Sequence, residues 1–257
     1  MSICMITYNR AVFLSEAIES AQKQSLTDWE LIIVDYDSKD NTKEVVEKYI
    51  SEDSRIKFYS SGEYTTVGIS RNFSLARACG KYVAVLDSDD VWCDPQKLQL
   101  QYDFLESHPD HALIGGGVVI INKDSKEQKR YMNPLSDAEI RQQMFLRNPF
   151  AHSSVMYKRE LALKIGGYEM SVAEDYDLFL RFGCVAKFAN LEKYVLNYRV
   201  HDSNVTVTDK IKTLAIVVPL IKKYKGKYPF YYRAIVWRVA KLWAYRLFLK
   251  FRLKKLQ

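Results

Sequence analysis

The residues best suited to chemistry are Asp87, Asp89 and Asp90, three carboxylates that directly follow the apolar run 82–86. An apolar run of this length is typical of a buried strand, and carboxylates crowded at its end repel one another. A divalent cation relieves this repulsion, because hard oxygen ligands suit Mg²⁺ or Mn²⁺ bound largely through water and phosphate oxygens. The motif therefore predicts a site for a metal ion and a diphosphate. An acidic turn after a strand is the simpler alternative.

Alternating strand and helix patterns surround this motif. Strands are expected at 2–7, 30–34, 56–59, 82–86, 112–121 and 155–158, and helices at about 12–24, 42–50, 69–79, 96–107 and 136–147. Gly80 is expected to end the third helix at its C′ position, and 123–135 is expected to be a loop. This alternation predicts an α/β fold with a largely parallel sheet and right-handed crossovers.

Polar clusters follow three of the expected strands, at 7–10, 35–38 and 87–90. Parallel strands end at the same edge of a sheet, where open α/β sheets bind ligands, so the three clusters should converge. A nucleotide needs a slot for its base, acceptors for its ribose hydroxyls and a cation for its diphosphate. Tyr8 can line a base, Asp35 can accept from a base N–H, Asp87 can hold a ribose hydroxyl, Asp89 is left for the metal, and Arg71 can reach the base or the phosphates.

The ordered motifs 35–40, 71–72, 78–82 and 86–90 resemble those of family 2 inverting glycosyltransferases of the GT-A fold. The resemblance extends over about residues 2–201, although Ile6 and Asp37 replace the proline and glycine that are common in the family. It implies a Rossmann-like mixed, mainly parallel sheet flanked by helices in a domain spanning 1–208. The halves 1–95 and 96–208 are then expected to bind the nucleotide-sugar and the acceptor, respectively.

The same resemblance implies roles for individual residues. Glu174-Asp175 matches the Glu-Asp motif of the family, whose second residue supplies the catalytic base, although acids also favour a helix N-terminus for electrostatic reasons alone. His201, in a Tyr-Arg-x-His setting, is implied to approach the metal together with Asp89. The residues expected to bind the nucleotide-sugar are Thr7, Tyr8, Asn9, Arg10, Asp35, Arg71, Asp87 and Ser88. His152 is interpreted as structural rather than acceptor-facing, and 202–208 as a segment that orders over the donor.

Charge is distributed unevenly along the 257 residues. Residues 209–257 contain fourteen Lys or Arg and one acidic residue, whereas the rest of the chain carries a net charge of −6. Aromatic residues interleave with these cations, which favours a helical tail bound to an anionic membrane surface. The alternatives are a helix packed on the core and, less favoured, nucleic acid, for which no partner role is expected. Four scattered cysteines and the lack of a signal peptide or spanning stretch predict a cytoplasmic protein, peripheral on the membrane.

Taken with the resemblance, these features predict an enzyme that moves a sugar from a nucleotide-sugar, favouring UDP, to a glycan or lipid-linked acceptor with Mn²⁺ or Mg²⁺. Cell-surface polysaccharide or glycolipid synthesis is the expected setting. A haloacid dehalogenase-like phosphatase is an alternative, because 87–91 fits the Asp-x-Asp-x-Val motif with Asp87 as nucleophile. Such phosphatases, however, carry this motif on their first strand. A non-catalytic nucleotide-sugar-binding membrane protein is the second alternative.

Overall fold

The computed structural model describes residues 1–62, 66–169, 173–201 and 210–254. Its strands are β1 (Ser2–Thr7), β2 (Glu30–Asp35), β3 (Ile56–Ser60), β4 (Tyr82–Val85), β5 (Val91–Trp92), β6 (His111–Asn122), β7 (Glu127–Tyr131), β8 (Met156–Lys158) and β9 (Lys187–Val200). They form a mixed sheet in the order β3-β2-β1-β4-β8-β6-β9-β5, and β7 pairs with β6 beside this path. The expected segment 202–208 lies outside the described residues.

Helices pack on both faces of the sheet. They are α1 (Ala11–Gln22), α2 (Thr42–Glu52), α3 (Val67–Arg77), α4 (Lys97–Ser107), α5 (Asp137–Gln143), α6 (Arg159–Lys164), α7 (Glu174–Phe182), α8 (Lys210–Lys223) and α9 (Tyr231–Lys254). Ile3 and Met5 of β1 belong to a cluster with α1 and α4, whereas Cys4 and Ile6 belong to a cluster with α3 and α7. All six residues of β1 are buried, as expected for a parallel strand covered on both faces.

The parallel pairing predicted for the first half is confirmed. β1 pairs in parallel with β2 on one side and with β4 on the other, and β2 pairs in parallel with β3. Thr7 lies opposite Asp35 at the ends of β1 and β2. The carboxyl ends of these strands therefore meet at one edge of the sheet, so that the loops after β1, β2 and β4 are neighbours.

Gly80 was expected to end α3, and this prediction is wrong. The helix ends at Arg77, and its C-cap residue Ala78 adopts an extended conformation with ψ 131°. Gly80 lies against the start of β1, where an added Cβ would be 2.6 Å from the carbonyl carbon of Met1. Its amide donates to Ser2 Oγ at 2.8 Å. Glycine is needed here because the two backbones approach closely, not because a helix requires a left-handed residue.

The second half departs further from the predicted elements. Part of the expected loop 123–135 is strand β7, which forms a hairpin with β6. The helix expected over 136–147 is shorter, and β5, α6 and most of β9 were not anticipated. The run 115–117 does allow close approach, since a Cβ on Gly116 would lie 2.7 Å from Val195 Cγ2 of β9. The register of β6 against β9 also shifts along this run.

The two C-terminal helices and the connection between them pack in part against α7. Tyr224 donates its hydroxyl to Asp177 Oδ1 at 2.8 Å, and Tyr228 donates to the Leu180 carbonyl at 2.7 Å. Ile221 and Ala234 are fully buried in the same cluster as α7. Across the part of the chain that the structure describes, no helix is both long enough and apolar enough to span a bilayer.

Candidate active site

The loops after β1, β2 and β4 border a cavity of about 560 Å³. Its walls also include the first turn of α3, the short 3₁₀ turn His152–Ser154 with the residues just before it, and the start of α7. This volume lies within the range of about 300–1,000 Å³ typical of small-molecule sites. The cavity is lined by these residues of the expected site: Tyr8, Arg10, Arg71, Asp87, Ser88, Asp89 and Asp175.

Arg71 of α3 connects two walls of this cavity. Its NH1 donates to Asp87 Oδ1 at 2.9 Å, and its Nε donates to Glu174 Oε1 at 3.1 Å. Burial opposes the charge of the guanidinium, but the two carboxylates outweigh burial and raise the pKa of Arg71 above its ordinary value. The residue is therefore a fixed cation that links the end of β4 to the start of α7.

The two carboxylates that bind Arg71 respond to it differently. Burial disfavours ionised Asp87, yet the attraction of Arg71 and the nearby His152 outweigh it and hold the pKa of Asp87 well below its usual range. Burial raises the pKa of Glu174, Arg71 offsets part of that rise, and neighbouring Asp175 adds to it. Asp87 is thus a permanent carboxylate at neutral pH, able to accept hydrogen bonds from a ligand's hydroxyl groups.

Asp89 lies where the end of β9 meets the loop after β4. Its Oδ2 is 3.0 Å from His201 Nε2 and 3.3 Å from Arg10 Nε. The His201 ring stacks on Phe13 of α1, with 5.1 Å between the ring centroids. A carboxylate and an imidazole that converge in this way are suitable ligands for Mg²⁺ or Mn²⁺.

The protein ligands available for such an ion are few. Within the described residues, no group of three or more His, Cys, Asp or Glu side chains is placed to hold a metal. Mg²⁺ commonly binds proteins through one or two carboxylates, with substrate phosphates and water completing its shell. The pair Asp89 and His201 therefore fits a cation that shares its coordination with a diphosphate.

Arg199 of β9 fixes the loop that carries Asp89. Its completely buried side chain donates from Nε to the Asp89 carbonyl at 2.9 Å, and its NH2 binds Glu16 at 2.8 Å. Its backbone N–H donates to Asp90 Oδ1 at 2.9 Å. The other Asp90 oxygen accepts from Ser153 Oγ at 2.5 Å. Asp90 is thus committed to protein contacts that hold the acidic loop in place.

Asp175 is the second residue of α7 and lies half-buried in the cavity wall. Its Oδ2 accepts from Asn148 Nδ2 at 3.4 Å, which is near the long limit for a hydrogen bond. Among the described residues no Lys or Arg forms an ion pair with it, whereas Glu174 is paired with Arg71. Of the two acids, Asp175 is the one whose carboxylate is available to a ligand in the cavity.

Two tyrosines provide an aromatic surface in the cavity wall. Tyr8 follows β1 and Tyr36 follows β2, and their rings stack with 4.8 Å between centroids at an angle of 17°. Both rings line the cavity, and Tyr8 is 41% exposed. A flat base can stack on such a surface, because every base presents a π-face.

Three residues of the expected nucleotide site do not line the cavity. Thr7 is buried at the end of β1. Asn9 Oδ1 accepts from the Lys39 amide at 2.7 Å, and Asp35 Oδ1 accepts from the Ser38 hydroxyl at 2.5 Å. Burial raises the pKa of Asp35, although its bonds from Ser38 oppose that rise. Asn9 thus connects the loop after β1 to the loop after β2, whereas Asp35 holds its own loop. Contact of the three side chains with a nucleotide stays a prediction.

Tyr36 and Ser153 were not among the expected site residues, and His152 was expected to be structural rather than acceptor-facing. His152 Nε2 lies 3.0 Å from the Tyr168 hydroxyl, while its buried Nδ1 lies 3.7 Å from Asp87 Oδ2. The Ser153 hydroxyl accepts from the Asp87 amide at 3.1 Å. Both residues reach the site because β8 pairs antiparallel with β4. Only the position of Tyr36, within the cluster after β2, gave a signal in the sequence.

Residues 2–166 match the model of Glycosyl transferase family 2. An uncharacterised glycosyltransferase of Methanocaldococcus jannaschii is 31% identical over 248 residues, which cover 93% of this chain and 84% of the relative. The O-antigen biosynthesis glycosyltransferase WbnJ of Escherichia coli is 30% identical over 210 residues, covering 79% of this chain and 81% of WbnJ. These matches decide against the phosphatase and the non-catalytic alternatives.

Solved structures share the fold. S. aureus TarS 1–349 in complex with UDP-GlcNAc superposes with a TM-score of 0.71 at 18% identity, covering 93% of this chain and 71% of TarS. A mannosyltransferase of Pyrobaculum calidifontis in complex with GDP-Man and Mn²⁺ gives a TM-score of 0.67 at 18% identity, covering 94% and 69% of the two chains. The predicted GT-A fold is confirmed. On the family match and its relatives, this chain is a glycosyltransferase that belongs to glycosyl transferase family 2.

Proposed function

We propose that this enzyme transfers a sugar from a nucleotide-sugar, with UDP favoured as the nucleotide, to a hydroxyl group during polysaccharide synthesis. The observation that carries the proposal is that Asp87, Asp89 and Asp175 line one cavity. The solved complexes with UDP-GlcNAc and with GDP-Man support a nucleotide-sugar donor, and the O-antigen and amylovoran biosynthesis names of two relatives support the setting.

The donor is assigned to the end of the cavity formed by the first three loops. Tyr8 and Tyr36 offer the stacking surface for the base. The ionised Asp87 accepts from the ribose hydroxyls, because its Oδ1 is oriented by Arg71 and two carboxylate oxygens provide more lone pairs than Arg71 uses. Arg10, at the rim beside Asp89, is placed to offset phosphate charge.

Asp89 and His201 would hold the divalent cation, Mg²⁺ or Mn²⁺. Their approach to 3.0 Å and their oxygen and nitrogen donors suit such an ion, and the Mn²⁺ complex of the Pyrobaculum mannosyltransferase supports its use in this fold. When bound, the ion neutralises the charge of the leaving nucleoside diphosphate. The buried Arg199 keeps Asp89 at this position through the Asp89 carbonyl.

Asp175 is assigned as the general base. As the acceptor oxygen bonds to the anomeric carbon, the bond from that carbon to the diphosphate oxygen breaks, and the hydroxyl proton moves to Asp175. Attack from the face opposite the diphosphate inverts the anomeric centre in one displacement. Glu174 cannot take this role while it is bound to Arg71. Its pairing instead fixes the first turn of α7, from which Asp175 projects.

The acceptor is assigned as a glycan or a lipid-linked glycan, and the anionic membrane surface as a partner of the region 209–257. Fourteen basic residues and one acidic residue in that region provide the electrostatic attraction to anionic lipid. The rest of the chain is net negative and would be repelled by the same surface. We therefore assign membrane binding to 209–257, whose described part also packs against α7.

A panel of nucleotide-sugars tests the donor and the metal together, without knowledge of the acceptor. We expect slow hydrolysis of UDP-sugars with Mn²⁺ or Mg²⁺, loss of hydrolysis with a chelator, and recovery when the ion is restored. Asp89→Asn should remove the metal dependence together with the activity. The exposed Asp28→Asn is its matched control and should behave as wild type. Hydrolysis that a chelator leaves unchanged would refute the metal site, and failure with every nucleotide-sugar would refute the donor class.

A further inference from the structure

The outward face of α9 carries large apolar side chains that nothing in the described chain covers. Tyr232 is 70% exposed, Val236 68%, Trp237 49% and Trp243 62%. Positions 232, 236 and 243 follow one helical stripe, and Trp237 lies about 100° around the helix from Val236, at the edge of this face. Contiguous exposed apolar side chains of this size are uncommon on monomeric proteins and mark a surface that binds a membrane or another protein.

A buried arginine sets the rotation of this helix. Arg238 donates from NH1 to the Phe145 carbonyl and from NH2 to the Leu146 carbonyl at 3.2 Å. Ala234, one turn earlier, is fully buried on the same side. Because each residue advances a helix by about 100°, Val236 lies roughly opposite both. The aromatic face therefore points away from the domain as a consequence of folding.

The charge of this face selects its partner. Lys241 Nζ lies 4.7 Å from the Trp237 ring centroid, and Lys225 Nζ lies 5.5 Å from that of Tyr232. The sequence of α9 contains no acidic residue. Two copies of this face would repel each other if they paired through it. Anionic lipid offers both an apolar interior for the aromatic rings and negative charge for the cations.

The same helix is connected to the proposed base. Arg238 holds the carbonyls of residues 145 and 146, and two residues later Asn148 donates to Asp175 Oδ2. Tyr176, next to Asp175, donates its hydroxyl to the Met144 carbonyl. The stretch 144–148 thus contacts α9 on one side and the start of α7 on the other. Residues 144–148 therefore connect α9, and any surface that α9 binds, to the wall of the cavity that carries Asp175.

We propose that the face of α9 formed by Tyr232, Val236 and Trp243, with Trp237 at its edge, docks on an anionic lipid surface and brings the Asp175 wall of the cavity to a lipid-linked acceptor. This inference rests on the proposed transfer reaction for its acceptor, but the docking itself does not require it. The aromatic rings enter the interface, the flanking cations bind lipid phosphates, and the Arg238 anchor keeps the catalytic domain in a fixed orientation.

Vesicle sedimentation tests the docking. Wild type should bind vesicles that contain phosphatidylglycerol, should bind phosphatidylcholine vesicles weakly, and should be released by salt. Val236→Asp should lower the partition coefficient at least about tenfold, because it loses apolar burial and adds a repelled charge. Val185→Asp is the matched control, since Val185 is 57% exposed and lies outside α9, and it should bind as wild type.

Three results would overturn the docking: no binding by wild type, equal binding by Val236→Asp, or a salt-stable dimer in solution that Val236→Asp dissociates. The last result would assign the face to a second copy of the chain. Nucleotide-sugar hydrolysis in solution, measured for every variant, should stay at the wild-type rate. Hydrolysis without vesicle binding would refute the docking and the membrane partner assigned to 209–257 but leave the transfer reaction standing. Absent hydrolysis by wild type would refute the proposed transfer reaction whatever the vesicles show.

Discussion

Replacing Asp175 by asparagine removes the proposed base and leaves the shape of the side chain almost unchanged. Asn148 donates to Asp175 Oδ2 at 3.4 Å, a contact too long for its loss to matter much to folding. The substitution also removes a negative charge from the first turn of α7, where such a charge contributes about 0.3–1 kcal/mol. We therefore expect a folded enzyme with a slightly lower free energy of unfolding.

The effect on turnover should be far larger. A positioned general base contributes about 10²- to 10⁴-fold to the rate, which corresponds to about 3–5 kcal/mol of activation free energy. Asp175 has no ion pair among the described residues, so this loss belongs to proton transfer rather than to a broken structural contact. The kcat for sugar transfer should fall about a thousandfold, while the dissociation constant for UDP should stay within about twofold of wild type.

Glu174→Gln is the matched control, because it neutralises the neighbouring acid on the same turn. Its Oε1 accepts from Arg71 at 3.1 Å in a largely buried contact, so this variant should lose about 1–3 kcal/mol of stability. Its kcat should fall less than about tenfold, because it is not expected to take the proton. Calorimetric UDP titration, urea unfolding and transfer rates distinguish the two variants. If Asp175→Asn kept a near-normal kcat, or if Glu174→Gln lost as much, the assignment of the base would be refuted.

Three further substitutions test other parts of the structure. The Arg55 guanidinium lowers the pKa of Asp53 from 3.8 to about 2. Asp53→Asn should therefore cost about 1 kcal/mol of stability above pH 4, after allowance for the partly exposed Arg55. The difference in urea unfolding between the two proteins should shrink as pH falls through about 2, where Asp53 becomes protonated in the folded state. A difference that was undiminished between pH 4 and pH 2 would contradict this linkage. Gly80→Ala should lower the free energy of unfolding by about 2 kcal/mol in the same assay, because its Cβ would lie 2.6 Å from the Met1 backbone. An unchanged urea midpoint would mean that the start of β1 moves to accommodate the added methyl group at little cost. Tyr168→Phe removes the hydroxyl beside His152 Nε2 and should weaken UDP binding measured by calorimetry, since His152 faces Asp87; unaltered affinity would leave His152 a purely structural residue.

The sequence by itself determined the first half of the fold and the location of the acidic motif. Apolar runs of strand length alternate with helical periodicity up to residue 90, and parallel pairing then requires the loops after β1, β2 and β4 to meet. That local logic was sufficient to bring Tyr8, Asp87 and Asp89 to one cavity. The assignments of Asp175 and His201 came from family resemblance, because no local pattern connects residues so far along the chain to the acidic loop.

Tertiary structure alone decided which side chains are committed to the protein and which face the cavity. Asp35 binds Ser38 of its own loop, Asn9 binds the loop after β2, and Asp90 accepts hydrogen bonds from Ser153 and Arg199. The antiparallel insertion of β8 beside β4 brings His152 and Ser153 to Asp87, and Arg238 orients the aromatic face of α9. These outcomes depend on long-range strand pairing and on buried hydrogen bonds between distant residues. Periodicity encodes the faces of single elements, whereas the choice of partner across the sheet is settled only when the whole core packs.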